Sequence, residues 1–179
     1  MNRMKVKIRQ EKPADYKSVY NLIEKAFKND KFSDHREQII VERLRKSKSY
    51  IKEFSIVAEI NGEVIGHILL TKIKINSKSK TNESLALAPV SVLPKFQLKG
   101  IGGMLINYAH NKAIELGYRS IIVLGHESYY PKFGYKRADV FNIQLPFEAP
   151  KENCMAIELV DKGLVGIAGI VEYPIEFNE

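Results

Sequence analysis

From Met4 to Arg9 basic and apolar residues alternate, the period of a strand, with Val6 and Ile8 turned inward. The period then changes. Behind Pro13, a residue suited to a first helical turn, Tyr16, Val19, Tyr20, Ile23 and Phe27 recur on one helical face. The polar stretch Lys28 to Ser33 ends that helix, and Asp34 with Glu37 resembles a capping box for a second one carrying Ile40, Val41 and Leu44. Phe54 to Ile60 and Val64 to Ile75 are β-like runs separated by Asn61, Gly62 and Glu63, the strongest hairpin signal in the chain. The polar segment Asn76 to Asn82 reads as a mobile loop.

The strand expected from Ser84 to Leu93 changes face partway. Leu85 and Leu87 sit at odd positions, Val90 and Val92 at even ones, so the inward face slips near Ala88 and Pro89 and predicts a β-bulge. Pro89 fits, because a residue without an N–H cannot donate to a regular interior ladder. After Pro94 comes Gln97-Leu98-Lys99-Gly100-Ile101-Gly102-Gly103, then a helix to Leu116 with Gly117 as its left-handed cap. Ser120 to Leu124 is continuously apolar, as in a strand covered on both faces. Residues 84–124 therefore read as strand, right-handed crossover helix and parallel strand. Pro146 to Pro150 interrupts a C-terminal β region.

Composition narrows this picture without changing it. The chain has 179 residues, 45% apolar and 27% charged, with eight Phe and nine Tyr, which suits one packed domain and excludes a mainly disordered chain. Cys154 stands alone, and no charged start leads into an apolar run, so a cytoplasmic protein is expected. Leu164 to Val171 is far shorter than the roughly 20 apolar residues that cross a bilayer. The net charge of +7 raises the odds of a polyanionic partner, whether nucleic acid, a phosphate-rich cofactor or an acidic surface, with solvated basic faces as the plainer alternative.

A turn with Gly100, Gly102 and Gly103 between strand and helix can aim several backbone N–H groups at one anion. A tight strand-to-helix turn with no ligand is the alternative. A P-loop would need Lys-Ser or Lys-Thr where Met104 and Leu105 stand. A dinucleotide fingerprint would need glycine at Leu105, although Glu127 lies at a suitable distance to hold a ribose. The run Gln97-x-x-Gly100-x-Gly102, behind Val90-Ser91-Val92 and ahead of Tyr129-Tyr130-Pro131-Lys132-Phe133-Gly134-Tyr135, resembles the GCN5-related N-acetyltransferase (GNAT) superfamily. It is most similar to the bacterial YhbS-like group of acetyltransferases, in which Leu-Ala-Pro-Val-x-Val-x-Pro, the glycine turn, Val-Leu-Gly-His and Tyr-Tyr-x-x-Phe-Gly-Tyr follow in this order.

The resemblance implies an α/β GNAT fold, a mixed central sheet with a bulged, splayed parallel strand pair and flanking helices. It implies one domain over 1–179, with a motif core at 84–138 and a C-terminal β region at 139–179. The cosubstrate would be acetyl-coenzyme A, its diphosphate on Gln97, Leu98, Lys99, Gly100, Ile101, Gly102 and Gly103 and its pantetheine along Val90, Ser91 and Val92. Lys95, Lys99 and Lys132 are candidate phosphate attractors, or ordinary solvated lysines. Tyr130 aligns with the family tyrosine that protonates the departing thiolate; the alternative is a packed aromatic, the role expected of Tyr129. Where histone-type members carry a basic glutamate this chain has Ala86, so His126, a residue type that exchanges protons near neutral pH, is the candidate base, ahead of Glu83, Glu127 and His67. No metal is expected. The acceptor would be a small-molecule or peptide amine, approached between Phe27 to His35 and the C-terminal region, without nucleic acid or membrane. A basic nucleic-acid-binding module and a coenzyme A sensor without turnover are the competing classes.

Overall fold

The computed structural model describes residues 5–178. Strand β1 (Lys7–Gln10) leads through a short 3-10 turn at Pro13–Asp15 into α1 (Tyr16–Phe27) and α2 (Glu37–Leu44). Strands β2 (Ser55–Ile60), β3 (Glu63–Asn76) and β4 (Thr81–Val92) form an antiparallel meander, and α3 (Ile101–Glu115) crosses to β5 (Ser120–Leu124). The remaining strands are β6 (Lys136–Arg137), β7 (Ile143–Gln144), β8 (Cys154–Glu158) and β9 (Gly169–Glu172). The sheet runs β1-β2-β3-β4-β5-β8-β6, antiparallel except for β4 beside β5, while β9 takes the edge of β3 beyond the end of β2 and pairs in parallel with β7.

Local sequence accounts for the joints. Asn61 and Gly62 both adopt positive φ, 50° and 82°, the geometry of the tight turn that suits a two-residue hairpin, and Ile60 pairs with Glu63 across it. Strand β3 ends at Asn76 and β4 begins at Thr81, so the loop expected from Asn76 to Asn82 shrinks to a closed turn in which Ser77 N donates to Lys80 O at 2.9 Å. The capping box expected at Asp34 does not form. Asp34 Oδ1 instead accepts from Arg36 N at 3.0 Å, and α2 starts at Glu37 because this Asx turn takes the first donor. Of the first strand, Met4 lies outside the described residues; Val6 and Ile8 are partly buried against the core, as expected.

Two apolar layers grip the sheet. On one face Val19, Leu22 and Ile23 of α1 and Val41 and Leu44 of α2 bury against Val57 and Leu69. On the other, Ile101, Leu105, Ile106 and Ala109 of α3 pack on Ile56, Ile68, Leu70 and Leu85. Gly66 makes this second contact close: a Cβ there would lie 3.0 Å from Leu105 and 3.2 Å from Ile101. The helix therefore rests directly on β3, with its N-terminus fixed over the end of β4.

Candidate active site

The bulge sits where the parity slip predicted it. Ile68 pairs with Val90 but Leu70 with Leu87, so Ala88 and Pro89 together face Leu69 alone. Strand β4 pairs with β5 only at Leu85, Ala86 and Leu87, opposite Ile121, Ile122 and Val123. Beyond the bulge the two parallel strands part, while β4 stays paired with β3 as far as Val92. Leu93 N donates to Ile65 O on the β3 side, and alternate residues of a strand address opposite edges, so the backbone groups of Val90 and Val92 face the gap. Ser91, between them, turns its backbone to β3 opposite His67 and is buried.

Gln97 has a structural task. Its Nε2 donates to Val92 O at 3.0 Å, tying the turn to the strand end. Leu98 and Gly100 then take positive φ, 60° and 80°, and α3 begins at Ile101. Met104 N returns to Gly100 O at 3.0 Å, and among the described residues no N–H from Leu98 through Gly103 donates to a backbone or side-chain acceptor. These donors cluster at the positive end of the helix dipole, which suits an anion. Each glycine has its own reason. Gly100 carries the left-handed turn with open space around it; a Cβ at Gly103 would press on the Phe133 ring at 3.3 Å; one at Gly102 would meet the Tyr129 hydroxyl at 2.6 Å.

The aromatic segment after β5 forms the opposite wall. Gly125 is held by Asn153, which accepts its N–H on the backbone carbonyl and donates Nδ2 to its carbonyl, both at 2.9 Å. The Tyr130 ring lies directly against Gly125, where no side chain would fit. It stacks edge-on with Tyr129 and Tyr135, is 7% exposed, and its burial pushes the phenol well above its usual range. Tyr135 in turn meets His110 Nε2 at 3.0 Å, and burial lowers that imidazole to about 4. Tyr129, expected to be core, is only partly so. Its ring packs on Tyr130 and Phe133, but its hydroxyl reaches Gly102.

His126 is exposed at the end of β5 and meets Phe32 of the α1–α2 connection edge-on, ring centroids 5.9 Å apart. The other histidine and carboxylate candidates lie apart from this gap or are already engaged. His67 is wholly buried and bonded to Ser55, Glu83 is paired with Lys72, Glu127 is exposed, and Ala86 is buried between Thr71 and Ile122. Of the lysines, Lys95 is held by Glu63 at 2.9 Å, whereas Lys99 and Lys132 have no acidic partner among the described residues. Sequence reasoning missed Asn153, for which nothing in the chain gave a signal, and Gly125, whose signal was a lone glycine ahead of Tyr129-Tyr130.

A mixed sheet opened by a bulge at its parallel pair, with α3 beginning at the opening, defines the class of acetyltransferase folds. The structure is similar to that of the GNAT family N-acetyltransferase YhbS from Escherichia coli in complex with CoA, with TM-score 0.89 and 23% identity over 100% of this chain and 95% of that one. It is similar also to a GNAT family acetyltransferase from Brucella melitensis in complex with acetyl-CoA, with TM-score 0.78 and 30% identity over 98% and 99% of the two chains. In sequence, the uncharacterized N-acetyltransferase YjhQ of E. coli K12 is 30% identical over 68% of each chain. Residues 16–135 match the acetyltransferase (GNAT) family model, and the chain belongs to that family.

Proposed function

We propose that the protein transfers the acetyl group of acetyl-coenzyme A to a primary amine, by direct attack with both substrates bound. The observation that carries this reading is the run of open N–H donors from Leu98 to Gly103 beside the parted strands. The diphosphate lies on those donors. Pantetheine extends past Val92 and Val90 as a partial strand, and the thioester reaches the bulge. The proteins from E. coli and B. melitensis that share this fold were crystallised with CoA and acetyl-CoA, which supports the same ligand class for this chain.

Chemistry follows from the groups at the gap. The neutral amine attacks the thioester carbonyl carbon, and the oxyanion is stabilised by a backbone N–H at the bulged end of β4, where Val90 and Val92 face the gap. Collapse breaks the carbon–sulfur bond, and the departing thiolate takes the hydroxyl proton of Tyr130, which recovers one from solvent. Burial keeps that phenol protonated until it is needed. The proton lost by the amine passes to His126, which stands at the opening beside Phe32. We place the enzyme in the cytoplasm, as its single cysteine suggests.

The test is direct. Acetyl-coenzyme A at a hundred times its Kd should stabilise the folded chain by about 2.7 kcal/mol, read as a raised melting temperature. A panel of amines, followed by thiol release, then identifies the acceptor. No shift at millimolar cofactor would overturn the reading.

A further inference from the structure

Position 129 breaks the apolar pattern around it. Its neighbour Tyr130 turns into the core, whereas the Tyr129 ring is only half-buried, and its hydroxyl lies 2.6 Å from where a Cβ of Gly102 would be. Among the described residues that hydroxyl has no hydrogen-bond partner. It faces the N-terminal turn of α3, whose N–H groups are likewise unclaimed. A Cβ at residue 102 would have to displace that hydroxyl, so glycine there leaves the phenol its place. Over the same ring stands Lys132, its Nζ 4.0 Å from the centroid and free of any acidic partner among the described residues. The aromatic wall therefore brings a proton donor to the start of α3 and seats a cation over the same ring.

We propose that Tyr129 and Lys132 complete the phosphate site: Tyr129 donates its hydroxyl to a diphosphate oxygen of the bound acyl-coenzyme A, and Lys132, seated on the ring, neutralises the same group. The ligand is thereby clamped between the start of α3 and the aromatic turn after β5. The inference rests on the binding of an acyl-coenzyme A at this turn, proposed above; it adds Tyr129 to that site and, of the candidate lysines, selects Lys132. Two facts separate Tyr129 from Tyr130. The Tyr130 ring is sealed against Gly125 beneath the parted strands, whereas the Tyr129 hydroxyl stands at the rim, on the phosphate side. A hydrogen bond to an ionised group is stronger than a neutral one, and the rim is where such a group would lie.

Calorimetric titration of the full-length protein with acetyl-coenzyme A and with S-acetylpantetheine, which lacks the diphosphate, tests this. Tyr129→Phe keeps the ring against Tyr130 and Phe133 and should weaken acetyl-coenzyme A by about tenfold to a hundredfold, leaving S-acetylpantetheine within about twofold. Lys132→Gln should weaken acetyl-coenzyme A by a few-fold, and the loss should shrink at high salt. An unchanged Kd for acetyl-coenzyme A in Tyr129→Phe overturns the proposal. So does an equal loss for both ligands, which would place the hydroxyl on pantetheine or on packing alone. If the wild-type protein binds neither ligand, the cofactor reading itself has failed; if it binds both and the variants match it, only the clamp has. Should Tyr129→Phe be poorly folded, the Lys132→Gln titration decides alone, because that side chain stands in solvent.

Discussion

Two polar clusters lie on one sheet, one at β2 and β3 and the other where β4 and β5 part, and are built on opposite terms. Beneath α1 and α2, Glu11 accepts from Arg45 and from Ser55, Ser55 accepts from His67 at 3.0 Å, and the Tyr16 ring covers the guanidinium at 4.0 Å. Those acid, hydroxyl and imidazole groups are wholly buried, and of their side-chain atoms His67 Nδ1 is left without a partner. Because Ser55 gives its proton to Glu11, the network assigns His67 its proton on Nε2. At the opening between β4 and β5 the arrangement reverses: donors crowd together, from Leu98 N to the Tyr129 hydroxyl, and no acceptor among the described residues answers them. The buried cluster completes itself and sets a shape. The open one is incomplete, which is what a binding site requires.

The comparison breaks most visibly by removing an internal partner. Glu11→Ala leaves Arg45 buried and unpaired, and such losses cost about 3–5 kcal/mol. Urea unfolding should show that drop in stability. Acetyl-coenzyme A affinity, measured well below the denaturation midpoint, should stay within about twofold. A parallel loss of binding would join the two clusters into one functional unit and end the distinction.

Removing a donor at the opening does the reverse. Tyr130→Phe should lower turnover by roughly 10²-fold, the smaller end of a positioned general acid's contribution, with cofactor affinity nearly unchanged. A tyrosine serving only to pack would lose little rate. Wild-type turnover in this variant, with chemistry rate-limiting, would hand the thiolate's proton to solvent.

Acid should weaken both regions, because each contains a buried imidazole. Burial lowers His67 to about 3 and His110 to about 4, both below the ordinary 6.5. Between those values and 6.5 the unfolded chain binds protons that the folded chain refuses. Stability is thus full above about pH 6.5 and falls as pH drops, by about 1.4 kcal/mol per unit for each histidine between pH 6 and 5. His67→Gln, which keeps a donor towards Ser55, should remove about half of that slope in urea titrations at successive pH values. An unchanged slope would mean that His67 is protonated in the folded chain.

How much of this was legible in the sequence depends on the kind of signal. The bulge was readable because side-chain parity is a period of two, and a slip from Leu87 to Val90 leaves a written trace. The hairpin at Asn61-Gly62 was readable because few residues accept positive φ at both positions. The start of α2 was misread, since Asp34 can serve a cap or an Asx turn and only tertiary packing chooses between them. Tyr129 was assigned to the core because adjacent aromatics look alike in a string of letters. Its direction is set by the turn at Tyr130–Phe133 and by glycine at 102, across the opening. The network of Glu11, Arg45, Ser55 and His67 joins four separate segments, and no local pattern announces it.

The smallest effect sharpens the comparison at Leu98. This side chain is fully exposed, at 105% of its reference area, on a residue with φ 60°, so it stands in water on a backbone that favours glycine. A left-handed conformation costs a non-glycine residue about 1–2 kcal/mol, while glycine loses about 0.5–1 kcal/mol through its freer unfolded chain. Leu98→Gly should therefore gain about 0.5–1 kcal/mol, a rise in melting temperature of about 1–3 °C for a chain of this size. The donors of the turn belong to the backbone, so acetyl-coenzyme A should bind the variant with its Kd within about threefold. A tenfold loss would show that the leucine side chain itself covers the ligand, making the turn a lid as well as a cradle. A fall in stability would show that Leu98 is retained because it restrains the turn, and that the open cluster is held in shape by side chains much as the buried one is.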